Sequence, residues 1–421
     1  MSETKQLVDL PSSIDVEDGE LPSGWQPREL KFLGSLVTGS TPSSKTTGSF
    51  GNDCPFVAPG DIGWWSRLGE VKRGLSTIGM EQVRLVEGPS VLLVCIGTIG
   101  KVAWTDQTVA TNQQINALSV DETVCSAQYV SLALASATFQ EQLRRHSSST
   151  TVSIVNKKKL SNLSIPLAPL PEQGRIVEIL EDQLSRLDTA LHSVHTVREK
   201  AAQFRRSLLH AAFTGALTGH DVKDGELPEG WTWTRVGEVT ENHDGVRVPV
   251  KRADRAKMQG EYPYYGASGV IDHVDQYLFD GRYLLVSEDG ANLTARTKPI
   301  AFEATGRFWV NNHAHVLTAL SGVSQRYLMY LIDQSSLDGL VTGTAQPKIT
   351  QRNLVKIPVP LPQLEEQERI VEILEDQLSR LDASFAVGDA VEERSAALRR
   401  SLLHSAFTGR LTEEWREAVN V

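Results

Sequence analysis

Apolar residues recur every three or four positions along two long stretches of the chain. In the first, Ile176, Leu180, Leu184, Leu187, Leu191 and Val194 take these steps, and Ala201, Phe204, Leu208 and Ala211 resume them; in the second, Ile370, Leu374, Leu378 and Leu381 do the same. That period lays one apolar stripe along an α-helix whose other faces are charged. The ends are marked too. Pro171 with Glu172, and Pro362 with Glu365, Glu366 and Glu368, place a proline and then carboxylates where a helix dipole favours negative charge. Arg205, Arg206 and His210 precede Thr214 and Gly215, and Arg399, Arg400 and His404 precede Thr408 and Gly409, which puts cations and a glycine cap where helices stop. Each stretch, at roughly 40 residues and 1.5 Å per residue, predicts a rod of about 60 Å. So long a stripe needs a partner helix. The spacing predicts that Ile176, Leu180, Leu184, Leu187 and Leu191 pair with Ile370, Leu374, Leu378 and Leu381 in an intramolecular antiparallel coiled coil holding two globular regions apart.

The two stretches are copies. RIVEILEDQLSRLD occurs at 175–188 and identically at 369–382, a displacement of 194 residues. At the same displacement RRSLLH recurs at 205–210 and 399–404, and AFTG at 212–215 and 406–409. A lead-in motif also comes twice, DGELPSGW at 18–25 and DGELPEGW at 224–231. The regions between share no comparable identity. Conserved strings beside unlike inserts predict a fixed frame carrying two variable domains, unlike a solenoid of short repeats. The expected division is an acidic tail (1–24), a first insert (25–170), a central helix (171–215), a linker (216–230), a second insert (231–361), a C-terminal helix (362–410) and a tail (411–421). The fold class is α/β, two globular domains with two long helices and a pseudo-twofold internal repeat.

Charge changes the picture only when counted by region. The net charge of -10 argues against a polyanionic partner, yet residues 25–170 hold 13 Lys and Arg against 10 Asp and Glu, and residues 231–361 hold 14 against 13. The acid sits on the frame and tails. Basic clusters lie at Lys72 with Arg73, Arg144 with Arg145, Lys157 to Lys159, and Arg247, Lys251, Arg252, Arg255 and Lys257. Local patches of this kind are compatible with nucleic-acid binding, and equally with a solvated face.

Other chemistries find little support. Cys54, Cys95 and Cys125 lack CxxC spacing, against a disulfide scaffold or a zinc site. The longest apolar run, 91–96, falls far short of the roughly 20 residues of a membrane helix, so no membrane contact and a cytoplasmic location are expected. Gly97-Thr-Ile-Gly100-Lys101 is followed by Val102 and is no phosphate loop. His313 and His315 could each ligate a metal, but alternation along a strand puts one imidazole outside and one inside. No nucleophile with its base, carboxylate pair or cofactor cradle stands out, so no catalytic, cofactor or metal residue is expected.

Further strings carry a resemblance. Thr38 to Ser43 (TGSTPS), Pro55 to Ile62 (PFVAPGDI), Gly97 to Lys101 (GTIGK) and Asn112 to Gln114 (NQQ) succeed one another in the first insert. Tyr262 to Gly266 (YPYYG), Ser287 to Gly290 (SEDG), Phe308 to His315 (FWVNNHAH) and Ala345 to Ile349 (AQPKI) do so in the second. In this order, twice over, between two repeated helices, they make the chain resemble the specificity subunit of type I DNA restriction-modification systems along nearly its whole length. The resemblance implies a non-catalytic DNA-recognition subunit. Each insert would be a target-recognition domain reading one half of a bipartite, asymmetric double-stranded site. The helices would set the spacing and, through the same apolar residues that pair them, dock two methyltransferase subunits, with restriction subunits completing the enzyme. S-adenosylmethionine, ATP and magnesium would belong to those partners and not to this chain. Charge and loop context then nominate Lys45, Arg67, Lys72 and Arg73 in the first insert, and Arg247, Lys251, Arg252 and Lys348 in the second, as DNA contacts. The alternative is a coiled-coil scaffold or adaptor that reads no sequence.

Overall fold

The computed structural model describes residues 21–43, 45–147, 153–221, 223, 225–343 and 346–419. The acidic tail up to residue 20, the first residues of both lead-in motifs, Ala345 of AQPKI and the last two residues lie outside the described residues. The chain is α/β and divides into two compact units, residues 1–194 with 389–421, and residues 195–388. Its two long helices run Leu170–Thr214 and Leu364–Phe407. Each unit holds the start of one helix and the end of the other.

Each insert is tied shut by a two-stranded antiparallel ribbon. Gln26–Glu29 pairs with Ser164–Leu167, and Thr232–Arg235 pairs with Pro358–Leu361. Entry and exit of each insert are thereby fixed at one place, directly before a long helix.

Between the ribbons the inserts differ. The first contains a five-stranded sheet in the order Gly34–Thr38, Ile115–Val120, Ser90–Val94, Val102–Thr105 and Trp64–Arg67. A four-stranded sheet joins Gly74–Leu75, Phe50–Val57, Val109–Thr111 and Leu85–Val86. Ser90–Val94 is buried throughout, as the continuous apolar run of a central strand requires. The second insert has one six-stranded sheet, ordered Thr240–Asn242, Ala314–Ala319, Phe279–Ser287, Ala301–Val310, Gln259–Gly266 and Gly269–Val274. Each insert also carries a helix with a serine cap, Ala127–Ala135 behind Ser126 and Gln325–Gln334 behind Ser324. These caps accept from the backbone N–H groups of Tyr129 and Tyr327, groups that the helix itself leaves unpaired.

The stripe of the long helices packs differently from the simple pair expected. Ile176, Leu180 and Leu184 are buried in one core together with Trp25, Leu30 and Tyr129 of the first insert and Leu403, Ala406 and Phe407 at the end of the C-terminal helix. Ile370, Leu374 and Leu378 share another with Trp231, Tyr327 and Leu328 of the second insert and Leu208, Leu209 and Ala212 at the end of the central helix. Start meets end in both units, the antiparallel sense. Each stripe is nevertheless shared between a helix partner and an insert, because a helix joined directly to a domain buries its first turns against it. Burial then fades along the rod. Leu187 and Leu381 are half-buried against these cores, and Leu191, also half-buried, belongs to neither.

Both helices end on a left-handed glycine, Gly215 with φ 84° and Gly409 with φ 78°. A side chain there would be strained, and its Cβ would lie 2.3 Å from Pro228 and 2.1 Å from Pro22 respectively. The lead-in prolines are thus seated on the helix caps. The end of the central helix receives the start of the second insert, and the end of the C-terminal helix receives the start of the first.

Candidate nucleic-acid interface

The repeated segments build a junction in each unit around one carboxylate, buried at Glu172 and partly buried at Glu366. Glu172 accepts from Trp25 Nε1 at 2.8 Å, from Thr412 Oγ1 at 2.7 Å and from the Arg416 guanidinium. Glu366, 194 residues later, accepts from Trp231 Nε1 at 3.0 Å, Thr218 Oγ1 at 2.7 Å and His220 Nε2 at 2.8 Å. The next residues repeat the pattern. Gln173 takes the backbone N–H of Ser126 and gives to Val124 and Ala168 carbonyls, while Gln367 takes that of Ser324 and gives to Gly322 and Pro362 carbonyls. Tyr129 and Tyr327 each donate to a carbonyl of the exit strand, Pro166 and Pro360, and each meets the closing phenylalanine of a long helix edge-on, Phe407 and Phe213, at 5.4 Å. Each insert is therefore held on the frame by closely matching contacts, and cross-helix pairs repeat too, Arg205 to Asp382 at 3.1 Å and Arg399 to Asp188.

Away from the frame, the strings of the first insert converge where its two sheets meet. Thr41 Oγ1 bonds Gln113 Oε1 at 2.8 Å, Ser40 N–H donates to the Thr111 carbonyl, Asn112 N–H to that of Val57, and Gln114 Nε2 to that of Ile96. The nominated cations divide. Lys45 lies in the loop after Gly34–Thr38, where Ser43 N–H bonds Gln82 Oε1, and Lys72 directly precedes Arg73. Arg73 stacks on Phe50 at 4.4 Å, and Phe50 is itself exposed, an arrangement of cation and aromatic suited to a nucleic-acid surface. Arg67 stands apart. It pairs with Asp106 at 3.1 Å, lies over Trp104, and faces a cavity of about 640 Å³ lined by Trp65, Gln128, Glu181 and Asp188.

In the second insert the strings converge on a network of charges. Glu288 binds Arg247 through Oε2 at 2.6 Å and Lys348 through Oε1 at 2.8 Å. Arg247 also reaches Asp244 at 3.3 Å and the Ala314 carbonyl at 2.7 Å. Asp244 accepts from His315 Nδ1 at 2.6 Å and from the backbone of Val316 at 2.9 Å, and His315 Nε2 faces the Ile349 carbonyl at 3.0 Å. Beside them His313 Nδ1 sits 2.8 Å from Asp289, whose backbone bridges to Lys348. His313 is half-exposed and His315 fully buried, the alternation of a strand.

The electrostatics follow from these contacts. Burial would raise the carboxyl of Glu288, but hydrogen bonds from Lys348 and Arg247 outweigh it and hold the group below its ordinary range. Asp244 is lowered in the same way, burial being outweighed by His315, the Val316 N–H and Arg247. The Glu288 carboxylate in turn raises Lys348. Asp244, Glu288 and His315 bring three possible metal-ligand atoms within 4.8 Å of one another. A cation already serves them, since the Arg247 guanidinium bridges both carboxylates, and both ring nitrogens of His315 face acceptors.

One nominated residue, Arg247, lies inward in this structure. It is turned onto two carboxylates, with a side chain only 12% exposed, unlike the outward cations. Lys251 and Arg252, at the start of the short helix Arg252–Arg255, are exposed and, among the described residues, make no side-chain bond, as is true of Lys45 and Lys72. Sequence reasoning weighed His313 only as a metal ligand, met Glu288 and Asp289 only within SEDG, and passed over Asp244. For Glu288, Asp289 and His313 the signal was acidic SEDG followed by the NNHAH run; Asp244 lies in neither string.

A helical frame with two dissimilar inserts mounted on similar junctions defines a modular recognition protein. The chain matches the family described as Type I restriction modification DNA specificity domain over residues 22–194 and 228–383, and it belongs to that family. Its role is DNA sequence recognition as the specificity subunit, the non-catalytic part, of a type I restriction-modification system. It is 23% identical over 398 residues to the MjaIX specificity subunit of Methanocaldococcus jannaschii, covering 86% of this chain and 90% of that one. The type I restriction enzyme HindI specificity subunit of Haemophilus influenzae is 30% identical over 174 residues, 39% of this chain, and the match spans only 37% of that relative. A solved chain from a type I R-M system superposes with a TM-score of 0.68 at 18% identity, covering 93% of this chain and 100% of that one, a likeness of fold. Among the described residues no helix is long and apolar enough to cross a membrane.

Proposed function

We propose that the two inserts read the two halves of one bipartite, asymmetric double-stranded DNA site in the cytoplasm, and that the long helices set the gap and dock two methyltransferase subunits. The observation that carries this reading is the contrast between junctions and inserts: the contacts around Glu172 and Glu366 repeat, while the sheets mounted on them do not. Unlike inserts held by like junctions suit unlike half-sites at a fixed separation, the geometric logic of paired DNA readers. Docking is supported by apolar side chains left outward on the rods. Val197 and Phe204, seven residues apart, share a face of the central helix, and both are exposed. Restriction subunits complete the assembly, and S-adenosylmethionine, ATP and magnesium are bound by the partners.

Methylation mapping in a host expressing this chain with its methyltransferase, against the methyltransferase alone, tests the reading. A split adenine-methylated motif that requires this chain is the expected result. Absence of any new motif while both proteins are soluble and associated would overturn it.

A further inference from the structure

We propose that Lys348, His313 and Asp289 form the base-reading head of the second insert, with Glu288, Arg247, Asp244 and His315 as positioning residues beneath them; this rests on the insert reading DNA. The network is layered. Lys348 and His313 have side chains 46% exposed, Asp289 13%, while Glu288, Arg247 and Asp244 lie at 9–12% and His315 at 1%. Burying several charges is a poor way to gain stability, since apolar residues of similar volume do as well or better. What such a network does supply is orientation. The Lys348 ammonium is fixed by Glu288, Glu288 by Arg247, Arg247 by Asp244, and Asp244 by the buried ring of His315. His313 is oriented independently. With Nδ1 against both oxygens of Asp289, at 2.8 and 2.9 Å, its Nε2 is the ring atom left to meet a ligand.

The mixture of signs separates bases from phosphates. Phosphate affinity comes from uncompensated positive charge and does not need an oriented ammonium. Here two carboxylates flank Lys348, which weakens its pull on phosphate and places acceptors beside a donor. Base-pair edges in the major groove present such mixed patterns, with lysine suited to guanine O6 and N7 and a carboxylate to cytosine N4. Lys251 and Arg252, exposed and without a side-chain partner among the described residues, have the opposite character and suit the backbone.

The test uses the full chain with its methyltransferase and reads the methylated motif. Lys348→Gln and His313→Gln, both at half-exposed positions, should each relax one base position within one half-site, with methylation of the formerly rejected base rising roughly ten- to a hundred-fold, and leave the other half-site unchanged. Glu288→Gln should relax the same position as Lys348→Gln, a coincidence that a merely structural residue would not produce, and Lys348→Arg should retain more discrimination than Lys348→Gln. An unchanged motif in both Lys348→Gln and His313→Gln overturns the head while sparing the proposed function. Equal weakening on all sequences with a shallower salt dependence also overturns it, by making Lys348 a phosphate contact. A wild-type chain that directs no motif overturns the proposed function and the head together.

Discussion

The two junctions, each built from a glutamate, a tryptophan and a threonine, differ in the last partner of the central carboxylate. Glu172 is wholly buried and closed by the Arg416 guanidinium, whereas the Glu366 side chain is 23% exposed and closed by His220. The tryptophan and threonine that complete each site are the same. The frame thus conserves the geometry that fixes an insert and allows its electrostatics to drift. A permanent guanidinium suits a dry site. An imidazole, neutral or charged, suffices where water still reaches the carboxylate.

The largest break in this comparison should come from Glu172→Ala, which strands Arg416, Thr412 and Trp25 in a buried site and should cost about 3–5 kcal/mol in denaturant unfolding. Glu366→Ala should cost less, about 1–3 kcal/mol, because solvent can take over its partners. Equal losses would mean that exposure does not distinguish the junctions. Next, Leu180→Ala and Leu374→Ala should each cost about 2–5 kcal/mol, while Leu191→Ala, outside both cores, should change stability by less than about 1 kcal/mol. A large cost at Leu191 would restore a continuous coiled-coil seam.

The acid limb offers a finer test. Burial would raise the Glu366 carboxyl, but hydrogen bonds from Thr218, His220 and Trp231 outweigh it and hold the group below its ordinary range. A carboxyl lowered in the folded state contributes its stability fully above the unfolded value, about 4.3 for glutamate, and loses it as pH falls through the folded value. Glu366→Gln should therefore flatten the fall of melting temperature below that range. A curve parallel to wild type would show that Glu366 contributes nothing there. The smallest effect concerns the inserts: Lys251→Gln and Arg252→Gln should each lower the salt slope of DNA binding by about 1 and leave the motif unchanged. A changed motif would erase the distinction drawn between these cations and Lys348.

Much of this was legible in the chain. The 3.6-residue period, the terminal glycines and the exact repeat suffice for two long helices and a duplicated frame, because helices and their caps are set by neighbours in sequence. The lead-in tryptophans and the two glutamates were visible as repeated residues, but their meeting was not, since Trp25 and Glu172 lie 147 residues apart and Glu172 and Thr412 lie 240 apart.

The nominated DNA contacts show the same divide. Charge alone could not tell the inward Arg247 from the outward Arg252, because a guanidinium's role depends on which carboxylates folding brings to it. Sequence by itself determined the helices, the repeat and the family. Only the tertiary structure decided that each helix end serves the other insert, that the apolar stripe is shared with the inserts, and that Glu288 gathers Arg247 and Lys348. Local periodicity is written in consecutive residues, whereas sheet register and the pairing of buried charges are settled by long-range packing.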